Sequence, residues 1–199
     1  MNKLLGLCAA LACHSGAALA ASEREDAASV LRTVIALEAE GLRSWSSGPV
    51  ACVDPVIGEA TSDLFRSRRR AASEATRRDP SVTPIIFDFR QGWLPDGRRV
   101  EQDPVAAREL ADAVAVIVAG GARPLSVSRV EPDWLTAPFR LCNQAELGLL
   151  TLSAPAIHGD LAFVSVEFDC VLCGHGVDYA LRRRDSGWEI VAELTRWVS

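Results

Sequence analysis

The sequence predicts an α+β fold in which N-terminal helices pack on a C-terminal antiparallel β-meander. Three observations lead there. Apolar residues recur at helical spacing between residues 27 and 42, and Asp103-Pro104 is a helix-start signal in the middle of the chain. After residue 147, four alternating segments are separated by turn residues.

Taken in order, residues 1–20 carry the three parts of a secretory signal peptide. These are Asn2-Lys3, an apolar run from Leu4 to Cys13, and the small-residue tripeptide Ala18-Leu19-Ala20. The run is shorter than the ~20 residues a bilayer span requires, and cleavage is expected after Ala20. Lipoprotein processing at Cys13 fits less well, because Ala10 stands where a larger aliphatic residue is usual. The remainder, 21–199, reads as one globular α+β domain, periplasmic or secreted, with no integral membrane segment after cleavage.

Ser22-Glu23-Arg24-Glu25 has the form of a capping box, placing a helix start there. Ala27, Val30, Leu31, Val34, Ile35 and Leu42 then form one apolar face, ended by Gly41 and the loop Ser46-Ser47-Gly48-Pro49. A second helix is expected from Ser62 to Arg78, stopped by Asp79-Pro80, with a thin apolar face and a largely exposed surface. Ile85 to Arg90 reads as a strand, and Leu94-Pro95-Asp96-Gly97 as a turn returning through Arg99 and Val100. After Asp103-Pro104, Leu110, Val114, Ile117 and Val118 continue a helical stripe to Gly120-Gly121, although Val114, Val116 and Val118 also alternate as a strand would.

The meander comprises Leu147–Ser153, Leu161–Asp169, Val177–Arg184 and Trp188–Val198, with a turn from Pro155 to Asp160 between the first two. On its last strand Trp188, Ile190, Ala192 and Leu194 share one face, which predicts a sheet with a single buried side.

Hydrophobic residues make up 49% of the 199 and charged residues 24%, which excludes a disordered or fibrous chain. The formal charge of −5 gives no electrostatic reason to bind nucleic acid or an anionic membrane.

Removal of residues 1–20 leaves Cys52, Cys142, Cys170 and Cys173, an even set that in an exported chain favours disulfides. Four cysteines allow three pairings, and sequence does not choose among them. Three readings compete for the turn Cys170-Val171-Leu172-Cys173-Gly174-His175-Gly176. The first is a structural disulfide, within the turn or from it to Cys142. The second is a redox pair of Cys170 and Cys173 with His175 stabilising a thiolate; its hairpin setting differs from the usual helix N-terminus. The third is zinc on Cys170, Cys173 and His175, completed by Cys142 rather than the distant His158. The structural disulfide is preferred, so no metal and no cofactor is expected.

Residues 148–199 resemble small exported bacterial proteins of unassigned function, whose last strands turn through Cys-x-x-Cys-Gly-x-Gly and close with a Gly-Trp strand. The resemblance implies location and local architecture. Tyr179-x-Leu181 followed by Gly187-Trp188-x-Ile190-Val191 is similar to the end of many NTF2-like domains; a cystatin-like arrangement is the alternative.

The arginines Arg66, Arg68, Arg69, Arg70, Arg77 and Arg78 read as a solvated helix face, with Glu74 pairing to Arg70 and Arg78. Asp88, Glu167 and Asp169 read as outward-facing strand residues, and Trp45, Trp93, Trp134, Trp188 and Trp197 as large core side chains. No nucleophile elbow, phosphate loop or zinc-protease motif occurs, and no catalytic residue is assigned. The expectation is a non-enzymatic domain that binds a small molecule or an envelope protein. The alternative is a thiol–disulfide oxidoreductase using Cys170 and Cys173.

Overall fold

The computed structural model describes residues 5–43, 51–79, 88–124, 127–143, 148–170 and 173–199. Helix α1 runs over Leu5–Arg43. Val30, Leu31, Val34, Ile35 and Ala39 are all fully buried, because steps of three and four place them along one side. The capping box does not start this helix. The Ala- and Leu-rich residues before it are strong helix formers, so α1 passes through Ser22 and Glu25 without a break. Gly41 likewise lies inside the helix, and the loop expected at Ser46–Pro49 falls outside the described residues, as does Trp45.

Helix α2 spans Thr61–Arg78 and is capped at its end by Asp79, whose N–H donates to the Ala75 carbonyl. Asp63 in its first turn and Arg77 and Arg78 in its last complement the helix dipole. The strand expected over Ile85–Arg90 is not formed where the chain is described. Asp88 instead accepts the N–H of Arg90 and starts a 3-10 turn, Phe89–Gln91; 80–87 lie outside the described residues. The Leu94–Gly97 turn is present, closed by a 2.9 Å bond from the Gly97 N–H to the Leu94 carbonyl. Gly97 has φ +80, a conformation that favours glycine. Helix α3, Pro104–Val116, starts as expected, with the Asp103 carboxylate accepting the N–H groups of Val105 and Ala106. A wider turn, Ile117–Gly121, extends it, so the stripe from Leu110 to Val118 is helical.

Among the described residues nine strands form the sheet. They are β1 (Cys52–Val53), β2 (Gly58–Ala60), β3 (Arg123–Pro124), β4 (Arg140–Leu141), β5 (Leu149–Ala154), β6 (Ala156–His158), β7 (Leu161–Cys170), β8 (Cys173–Arg184) and β9 (Gly187–Val198). Strands β5, β7, β8 and β9 are the expected antiparallel meander. On the other edge of β7, β5 and β6 lie end to end across Pro155, so the segment expected as a turn from Pro155 to Asp160 contains a short strand. Strand β1 pairs in parallel with both β4 and β5, and β2 pairs in parallel with β5. None of these parallel pairs was legible in the sequence.

The expected single buried side is corrected by the structure, since the six residues Leu161 to Val166 are all buried. Helix α1 covers one face of the sheet, where Leu31 and Ile35 join Val164, Val166, Tyr179 and Leu181 in one core. Helices α2 and α3 cover the other, where Phe65 and Leu110 pack with Phe163, Ala180 and Leu194. A register shift between Ala180 and Leu181 carries β9 from one core to the other. Trp188 and Ile190 therefore face α1, whereas Ala192 and Leu194 face α2 and α3. Arg183 grips both carboxylate oxygens of Asp26 at 2.8 and 2.7 Å, tying α1 to β8.

Candidate functional site

The four cysteines form two disulfides, Cys52–Cys142 and Cys170–Cys173, with Cα atoms 5.0 and 5.1 Å apart. Both lie at the same end of the sheet, because Cys52 is level with Leu149 on β5 and Leu149 with Asp169 on β7. Cys142 is therefore bonded to Cys52 and neither to the hairpin nor, as a free thiolate, to a metal. Among the described residues no group of three or more His, Cys, Asp and Glu side chains is arranged to hold a metal ion. His158 ends β6, with the ten-residue β7, about 30 Å at the usual strand rise, between it and the hairpin.

His175 lies on β8 one alternation beyond Cys173, on the side packed by α1. Its Nε2 is 3.0 Å from Glu38 Oε2, and the Tyr179 hydroxyl donates to Glu38 Oε1 at 2.7 Å. Glu38 is only 6% exposed, so these two bonds supply partners for a carboxylate taken out of water. Its hydrogen bond holds the His175 imidazole above the ordinary histidine pKa, against the opposing effect of burial. Burial, with Glu38 nearby, also raises the neighbouring Glu193 carboxyl. The sequence carried one sign of this site: Glu38 stands in line with Leu31, Ile35 and Leu42 on the core stripe of α1.

Across the sheet, Asp178 is fully buried. Arg68 Nη1 reaches its two carboxylate oxygens at 3.0 and 2.9 Å, and Arg196 Nε lies 3.3 Å from Oδ2. The Ser165 hydroxyl donates to the same carboxylate, and the Ser165 N–H donates to Ser153 Oγ at 2.8 Å. Thr61 Oγ1 completes the chain, 2.6 Å from Ser153 Oγ and donating to the Ala154 carbonyl at 2.9 Å. Burial raises the Asp178 carboxyl above the ordinary aspartate range, opposed by the two guanidiniums.

Thus Arg68 departs from the exposed helix face expected of the arginine run. Of the expected Glu74 pairs, Arg78 makes one, and Asp63 takes Arg66. Glu167 is half-exposed and bonded to Arg196, and Asp169 is exposed. Trp134 and Trp188 are core residues, whereas Trp93 and Trp197 are more than a third exposed. A Cβ on Gly176 would sit 2.3 Å from Trp197 Nε1 and one on Gly174 2.9 Å from the same ring, which accounts for the two glycines of the hairpin.

A groove of about 420 Å³ opens between α2 and α3. Phe65 and Ala72 form one wall, Leu110, Val114 and Val118 the other, and Phe89 closes one end. Phe65 and Phe89 rest on Phe163 of β7, with ring centroids 6.1 and 5.4 Å away, so the groove is seated on the meander. Asp88, expected to face outward from a strand, lies at this groove as one half of an ion pair with Arg90. Its volume falls within the ~300–1,000 Å³ typical of small-molecule sites.

The chain matches no protein-family profile, no curated protein and no solved structure. Among the described residues no helix is long and apolar enough to cross a membrane.

Proposed function

We propose that the protein is an exported, non-enzymatic domain, stapled by its disulfides, that holds a small ligand in the groove between α2 and α3. The groove carries the proposal: it presents the partly exposed apolar side chains of Ala72, Val114 and Val118 to an open volume of about 420 Å³. Burying such side chains against a ligand is favourable by about 25 cal/mol per Å². Export, to the periplasm or the medium, is supported by the signal-peptide pattern of residues 1–20 and by the oxidised cysteines. The likeness to NTF2-like domains belongs to the same proposal, its support being the helix laid across one face of the antiparallel strands.

The thiol–disulfide alternative has less support. Cys170 and Cys173 sit on a β-hairpin, and the Nε2 of His175 is engaged by Glu38.

The test is the fluorescence of N-phenyl-1-naphthylamine, a neutral apolar dye, with the wild-type chain and with Ala111→Trp. Ala111 is an exposed residue of the groove wall, so the indole fills the groove without entering a core. Saturable binding that Ala111→Trp abolishes is expected; no saturable binding, or binding untouched by the variant, refutes the proposal.

A further inference from the structure

We infer that the ligand of this groove is an amphipathic monoanion, an apolar body with one carboxylate or sulfonate that docks on Arg69. The inference rests on the groove being a binding site, and it follows from the charges on the groove walls. Three charged side chains line the groove among the described residues: Arg69, Asp88 and Arg90. Two of them cancel. Arg90 Nε donates to Asp88 Oδ2 at 2.6 Å and its N–H to Oδ1 at 3.0 Å, so both carboxylate oxygens are already occupied. That hydrogen bonding also holds Asp88 below the ordinary aspartate range, although burial opposes it, so the pair stays ionic at neutral pH.

Arg69 is different. It follows Phe65 by one helical turn on α2, so the two residues share the side of the helix that lines the groove. Its neighbour Arg68 is turned beneath the helix onto Asp178, whereas the Arg69 carbonyl accepts the Ser73 hydroxyl and its guanidinium has no hydrogen bond or ion pair among the described residues. The groove walls therefore carry one uncompensated positive charge on a chain whose formal charge is −5. A planar guanidinium presents paired N–H donors that match a carboxylate or sulfonate. An uncharged ligand would leave that complementarity unused, and a cation would be repelled by it.

Two dyes with the same ring system separate the charge from the apolar contact: 8-anilinonaphthalene-1-sulfonate and neutral N-phenyl-1-naphthylamine. Both are titrated into the full chain, Arg69→Met and Ala111→Trp, with circular dichroism and thermal melts confirming the fold of each. Met keeps most of the side-chain length and removes the charge. Arg69→Met should weaken the sulfonate dye roughly tenfold or more, the scale of one charge-assisted hydrogen bond, and leave the neutral dye within about twofold. Ala111→Trp should weaken both. Equal effects of Arg69→Met on the two dyes, or none on either, overturn the inference while the groove itself stands. Failure of both dyes to bind wild type, or binding unaffected by Ala111→Trp, overturns the groove as well. Decanoate and 2-naphthoate as competitors distinguish a chain-like from a ring-like body; displacement of the sulfonate dye by neither also overturns the inference.

Discussion

Opening the Cys52–Cys142 disulfide with a Cys52→Ala/Cys142→Ala double variant releases a loop spanning 90 positions, which holds all of α2 and α3. For a loop of that length, closure entropy in the unfolded chain corresponds to about 4.6 kcal/mol. The Cys170–Cys173 link spans only 3 positions, and the same relation assigns a loop that short about 2 kcal/mol. The long link should therefore outweigh the short one by roughly 2–3 kcal/mol. In a chain of this size, at ~2–4 °C per kcal/mol, the two losses correspond to melting points lowered by about 9–18 °C and about 4–8 °C. Accessibility orders the pair in the same way. Cys52 is 0% exposed, whereas Cys170 and Cys173 are only partly buried, so a graded reductant should open the hairpin first. The assay is urea and thermal unfolding of the oxidised protein and both double alanine variants, with mass mapping of alkylated thiols along the reduction. Equal losses, a larger loss for the hairpin pair, or alkylation of Cys52 before Cys170 would refute the reasoning.

Two further outcomes follow from the buried charges. Asp178→Ala leaves Arg68 and Arg196 facing each other beneath α2, and should cost about 3 kcal/mol in denaturant unfolding; a loss below about 1 kcal/mol would show that solvent screens both. His175 has a raised pKa in the fold, so the stability it contributes is complete below its unfolded value of about 6.5 and is lost as pH climbs through the folded value. Unfolding free energies and the His175 ring resonance followed across that window should show the fall in wild type and its removal in Glu38→Gln. Identical slopes for the two proteins would separate His175 from Glu38.

Much of the fold was legible because it is written in short-range chemistry. Asp103 caps α3 through N–H groups two and three residues away, and the stripe from Val30 to Leu42 needs nothing beyond its own spacing to mark a core-facing side of α1. The strands after residue 147 announce themselves through alternation and the turn residues between them. That legibility fails where a pattern has two physical origins. The run from Leu161 to Val166 is apolar because β7 is covered on both faces, and alternation cannot report a second covered side. Likewise Ser22-Glu23-Arg24-Glu25 has the chemistry of a helix start, but in this chain the residues before it are helix formers and the helix runs on.

The sequence alone determined the order of the three helices and of the four long strands β5, β7, β8 and β9, the cap of α3, and an even set of cysteines beyond the signal-peptide pattern, all of them consequences of residues a few positions apart. Tertiary structure alone decided that Cys142 joins Cys52, that Glu38 meets His175 and Tyr179, that Arg68 meets Asp178, and that α2 and α3 leave a groove between them. Those partners lie 90 or more positions apart in the chain. Propensity and periodicity act over one or two turns of backbone, whereas such meetings are selected by packing both faces of one sheet at once, when each buried charge must find its counterpart on whichever element lies opposite.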